Sequence, residues 1–115
     1  MAALRGHDVT LFEKTTSLGG QLNIACVPPR KEEMRRAAQD LIRAVCNAGV
    51  HLCMGQPRTA EQLKEAGFEA VINAVGAHSA APRIPGIDGV SVADARKVLA
   101  GERQVCGAVA VSGGG

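Results

Sequence analysis

Tryptophan and tyrosine are absent from this 115-residue chain, and Phe12 and Phe68 are its aromatic residues. A core must therefore be assembled from Val, Leu, Ile and Ala, which favours parallel α/β architecture over a sandwich. The same lack removes the stacking platforms that single-stranded nucleic acid needs. Charge of one sign is also scarce: 13 basic residues against 11 acidic give a net charge of +2. Apart from Arg30, Lys31, Arg35 and Arg36 the basic residues are scattered, so no nucleic-acid partner is expected. No stretch approaches the ~18 apolar residues of a membrane span, and the N-terminus has no apolar signal core. A soluble, cytoplasmic protein without a membrane partner is the expectation. Four cysteines, Cys26, Cys46, Cys53 and Cys106, match neither a C-x-x-C metal pair nor a disulfide framework, so buried reduced thiols and no metal site are expected.

What is present reads as alternating strands and helices. Residues 8–13, Asp-Val-Thr-Leu-Phe-Glu, form a β-branched and aromatic run that ends in the charged pair Glu13-Lys14, the pattern of a strand meeting a loop. From Lys31 to Ala48 the apolar positions Met34, Ala37, Ala38, Leu41, Val45 and Ala48 recur at spacings of three and four, which predicts one amphipathic helix. Pro28-Pro29 block an earlier start, Glu32 and Glu33 suit the first-turn dipole, and Gly49 closes the helix. Residues 50–54 predict a second strand. Thr59, with Gln62 three residues on, predicts a capping box for a short helix over 60–66. The apolar run 68–75 predicts a third strand buried on both faces. After an irregular segment rich in Pro and Gly (78–90), a short strand and an Asp94-capped helix are expected over 91–100. Ala108 to Ser112 reads as a last strand, running into three glycines.

Three features bear on chemistry. An acidic residue at the C-terminal end of a parallel strand can accept hydrogen bonds from both hydroxyls of a dinucleotide's ribose, and Glu13 fits that place. Taken alone, a residue in that place is more often an ordinary solvated strand end. In Leu18-Gly19-Gly20-Gln21-Leu22 the glycine pair allows close backbone approach to a bulky ligand, and Gln21 adds a side-chain donor. The plain reading of the same residues is a loop that needs positive φ. In Ala74-Val75-Gly76-Ala77 the small residues allow a strand end to lie against a flat cofactor.

Taken in order, R-G-H-D-V-T-L-F-E-K, L-G-G-Q-L, V-P-P-R-K-E-E, A-V-I-N-A-V-G-A and P-R-I-P-G-I resemble one family along essentially the whole chain. It is the C-terminal FAD/NAD(P)-binding region of the NADH:flavin oxidoreductases related to 2,4-dienoyl-CoA reductase and trimethylamine dehydrogenase. The resemblance implies a Rossmann-like, doubly wound parallel sheet, incomplete because its first strand and glycine-rich turn lie before Met1. Residues 1–105 would be a partial FAD-binding domain, and 106–115 the first strand and glycine turn of the NAD(P)-binding domain.

The implied function is a part of an NAD(P)H-dependent flavin oxidoreductase that relays hydride from NAD(P)H to FAD. The implied cofactor-binding residues are Glu13 with Lys14, then Gly19, Gly20 and Gln21, then Ala74, Gly76 and Ala77, and finally Gly113 and Gly115 of the nicotinamide fingerprint. Val75 departs from the threonine usual in the family and removes a hydroxyl there. No catalytic residue is expected in this chain. The iron-sulfur cluster and FMN of the family are expected outside it, and the chain alone is expected to hold little FAD. Two other readings stay open: a non-catalytic assembly fragment, in which residues 108–112 fill the vacated sheet position within the chain or in a homodimer, and a reductase domain of the glutamate-synthase type.

Overall fold

Thr10–Glu13 forms strand β1 and His51–Met54 forms strand β2, paired in parallel with Thr10 opposite His51 and Glu13 opposite Met54. Parallel strands cannot be joined by a tight turn and need a long crossover. The long helix here supplies it. In this computed structural model, which describes residues 1–113, residues 1–76 form an α/β unit around that two-stranded parallel sheet, the class the composition predicts. A 3-10 turn at Ala3–Arg5 precedes β1 and ends on Gly6 in the left-handed region.

The long helix, here α2, spans Glu32–Asn47, with Glu32 and Glu33 in the first turn as expected. Its Asp40 and Arg43 pair at 2.8 Å, but both side chains are more than two-thirds exposed, so the pair adds at most a few tenths of a kcal/mol. A short helix α1, Gln21–Ala25, precedes it. Arg35 of α2 donates to the carbonyl of the buried Cys26 at 3.3 Å, tying the two helices together.

Successive residues of a strand point to opposite faces. Leu11 accordingly lines an apolar cleft with Leu18 and Leu22 and with Ala38, Leu41, Ile42 and Val45 of α2. Phe12 lines the opposite cleft with Leu63 and Ala66 near helix α3, which spans Ala60–Glu65. Each face of the small sheet thus has its own helix, the layering of a doubly wound fold. Phe12 also meets Phe68 edge to face at 6.0 Å between centroids, with Arg58 5.1 Å above the Phe12 ring.

Helix α3 carries the predicted capping box in full: the Thr59 hydroxyl accepts from the Gln62 amide at 3.3 Å, and the Gln62 side chain accepts from the Thr59 amide at 3.0 Å. It ends at Glu65, one residue before the expected Ala66.

Three predicted strands do not form among the described residues. The run 68–75 is irregular, and Val71, Ile72 and Val75 are 57, 84 and 87 % exposed rather than buried. A strand is held by its neighbour's backbone, and no described segment offers this run a ladder. The short strand expected at the start of 91–100 does not form: the segment before α4 is irregular, with the Val92 amide donating to the Gly89 carbonyl at 2.9 Å. Residues 108–112 form no strand either, and Val109 and Val111 are exposed.

The chain divides into two compact units, Met1–Gly76 and Ala77–Gly115. Within the second unit, helix α4 (Ala95–Leu99) is capped by Asp94, whose carboxylate accepts from the Arg96 amide at 2.7 Å. All four cysteines are free; Cys26 is buried, whereas Cys46 and Cys106 are exposed. Cys46 sits in the amphipathic helix but on its solvent side, so the expectation of buried thiols holds for Cys26 and fails for these two. No helix among the described residues is long and apolar enough to cross a membrane.

Candidate functional site

Glu13 closes β1, half-buried, at the C-terminal end of the parallel pair. Two donors from one residue converge on its Oε1: the Thr15 amide and the Thr15 hydroxyl, each at 2.8 Å. Hydrogen bonds that favour the ionised form lower a carboxyl's pKa. The Thr15 amide first, then its hydroxyl, and to a smaller extent the charge of Lys14 hold the Glu13 carboxyl below its ordinary value of 4.5. Both Thr15 donors fall on Oε1, and the Lys14 amide adds a smaller lowering contribution.

The turn after β1 is held from the end of β2. The Gly55 amide donates to the Thr15 carbonyl at 2.8 Å, and the Gln56 amide donates to the Glu13 carbonyl at 2.9 Å. Gly55 achieves this at φ +67°, where a side chain is disfavoured.

Gly19 and Gly20 follow at φ +110° and +48°. A Cβ on Gly19 would strike the Asn23 side chain at 2.5 Å, and that side chain donates to the Leu18 carbonyl at 3.0 Å. At Gly20 a Cβ would meet nothing within 4 Å, which leaves the backbone open to close approach. Gln21 begins α1, so the glycine pair is both the loop of the sequence reading and the start of a helix that the reading did not contain. Gly19 shares the apolar cleft of Leu11, which places this loop on the α2 side of the sheet.

Of the second small-residue motif, Gly76 comes to the same loop. Gly76, at φ +75°, lies against Gln21, whose Nε2 would be 3.4 Å from a Cβ built there. Two residues earlier Ala74 is exposed, and Asn73 turns its side-chain oxygen toward the Val75 amide at 3.4 Å. Ala77 opens the second unit, where its carbonyl accepts from Arg96 at 3.3 Å. Lys14 is exposed beside Glu13. Gly113 takes φ +89°, and Gly115 lies outside the described residues.

Glu13 and the Gly19-Gly20-Gln21 loop thus belong to the βαβ unit, with Gly76 against Gln21. Thr15, Gly55 and Gln56 are the participants that sequence reasoning missed. The available signal was Thr two residues after Glu, a spacing at which a hydroxyl returns to a preceding acceptor. Among the described residues no group of three His, Cys, Asp or Glu side chains is placed to hold a metal.

The residues fit a dinucleotide: a carboxylate favoured in its ionised form and held through Oε1, at the end of a parallel strand, and at Gly20 a backbone that no Cβ screens. No protein-family profile matches the chain. It is 47 % identical over 115 residues to a bilirubin reductase of Mediterraneibacter gnavus, covering all of this chain and 18 % of that protein. It is 38 % identical over 103 residues to an NADH oxidase of Thermoanaerobacter brockii, covering 88 % and 16 %. Among solved structures, a 2-naphthoyl-CoA reductase in complex with 2-naphthoyl-CoA is 28 % identical and superposes with a TM-score of 0.84 over 91 % of this chain and 16 % of that one. The chain therefore spans less than a fifth of the length of the relatives it matches.

Proposed function

We propose, from the premise that this chain is homologous to one segment of reductases and oxidases resembling the NADH:flavin oxidoreductases, that it is part of an enzyme of that kind. Its role is to bind and orient dinucleotide. The observation that carries this reading is the Glu13 carboxylate, fixed by Thr15 through Oε1 at the end of a parallel strand, in a chain 47 % identical to a reductase segment.

In this reading residues 1–105 belong to the FAD-binding domain and 106–115 open the NAD(P)-binding domain. Glu13 and Lys14 hold the adenosine ribose. Gly19, Gly20, Gln21, Ala74, Gly76 and Ala77 line the path of the dinucleotide, and Gly113 and Gly115 begin the nicotinamide loop. The cofactors, when bound, supply the hydride chemistry; the protein supplies binding, orientation and electrostatics. An ionised Glu13 suits the task, because a carboxylate accepts from both ribose hydroxyls and donates to neither. FMN, an iron-sulfur cluster and the substrate site belong to other parts of the parent enzyme, and the protein is cytoplasmic.

The test is a segment exchange, with this chain replacing the corresponding segment of the 47 % identical relative. The hybrid is expected to purify with FAD, told from FMN by chromatography of the released flavin, and to show NADH-dependent bleaching of the flavin band. A folded hybrid that carries FMN but takes up no FAD contradicts the reading.

A further inference from the structure

We propose that Thr15 is the positioning residue of the ribose-binding carboxylate: its amide and hydroxyl fix Oε1 of Glu13, so that Oε2 is the oxygen presented to an adenosine ribose. The proposal rests on the reading of Glu13 given under the proposed function.

A glutamate at a strand end has two equivalent oxygens and freely rotating torsions, and ordering it for a ligand loses conformational entropy. Two donors at 2.8 Å on the same oxygen make that selection before any ligand arrives. Charge-assisted hydrogen bonds of this kind are among the stronger ones in proteins. Thr15 is itself held in place. Its carbonyl accepts from the Gly55 amide at 2.8 Å, while the Glu13 carbonyl accepts from the Gln56 amide at 2.9 Å. The carboxylate is thus referenced to the end of β2 through backbone bonds at both ends of a three-residue turn.

The hydroxyl is the adjustable half of this arrangement. Thr15 Oγ1 lies 2.8 Å from Glu13 Oε1 and also 2.8 Å from the Ser17 carbonyl, and a hydroxyl has one proton to give. When the proton turns to Ser17, Glu13 keeps the amide alone. Replacing the hydroxyl therefore loosens the carboxylate without removing the turn. Thr15 is exposed, so substitution there leaves the packed faces untouched.

The experiment is a side-chain NMR titration of Glu13 in the full chain, labelled with carbon-13 at glutamate. Thr15→Val, which keeps shape and amide, is expected to move the Glu13 titration midpoint upward, and Thr15→Ser to restore it. An unmoved midpoint in Thr15→Val, or no restoration by Thr15→Ser, overturns the positioning role. ADP is then added to each protein up to high concentration, because the chain alone is expected to bind dinucleotide weakly. The Glu13 carboxyl resonance is expected to respond in the wild type and Thr15→Ser, with an affinity about tenfold weaker in Thr15→Val. An equal response in all three overturns the proposal. A raised midpoint in Thr15→Val with no response of Glu13 to ADP in any of the three leaves the positioning in place and overturns the ribose reading beneath it.

Discussion

The side-chain amide of Gln21 lies against Gly76, close enough that a β-carbon on that glycine would stand 3.4 Å from Nε2. The start of α1 and the end of the apolar run 68–75 are thereby brought together. Both motifs carry glycine where φ is positive, at Gly20 and at Gly76, and both present backbone rather than side chain.

Gly76→Ala is expected to lower stability by about 1 kcal/mol, because the left-handed region is unfavourable for any residue with a Cβ. The neighbouring Gln21 needs to yield little, since 3.4 Å is near ordinary contact. Urea denaturation compares the two proteins, and an unchanged midpoint contradicts the expectation.

Gly19→Ala is a harsher change. The φ of +110° is itself unfavourable, and the new methyl would sit 2.5 Å from Oδ1 of Asn23, displacing the side chain that donates to the Leu18 carbonyl. A loss on the order of 1–3 kcal/mol is expected, with the amide signals of residues 18–25 moving together in NMR. Changes confined to residue 19 would contradict this.

Thr59→Ala removes the capping hydroxyl of α3 and should destabilise that helix by about 1 kcal/mol. Hydrogen exchange at the Gln62 amide, which donates to the hydroxyl, should accelerate, while exchange in α2 stays the same. Equal acceleration in both helices would show a global rather than a local effect.

Glu13→Gln is expected to flatten the acid limb of the stability profile. The folded pKa of Glu13 lies below its ordinary value of 4.5, so its contribution is present above that value and is lost as pH falls through the folded pKa. The stability difference between wild type and Glu13→Gln should therefore shrink as pH is lowered from about 5 toward 3. A difference that is constant with pH contradicts the Thr15 hydrogen bonds as the cause.

Helix α2 was legible because Met34, Ala38, Leu41 and Val45 repeat at helical spacing, and Thr59 with Gln62 announced a cap that depends on neighbours three residues apart. Such signals are local. Strand 68–75 was predicted from an apolar run, but a strand exists only where another backbone pairs with it, and Val71, Ile72 and Val75 remain exposed. Helix α1 was missed because Gly19-Gly20 dominates the reading of its first turn. At the site, Glu13 was found from its place at a strand end, while Gly55 and Gln56 were not, because their amides reach the turn after β1 across the sheet and no spacing in sequence encodes that.

Whether Glu13 accepts from a dinucleotide ribose is decided by the FAD affinity of the segment hybrid with and without Glu13→Ala. The hybrid is expected to bind FAD, and Glu13→Ala to weaken binding about 10- to 100-fold, the loss of one or two hydrogen bonds to a charged acceptor. A Glu13→Ala hybrid that holds FAD as tightly as its parent would contradict it.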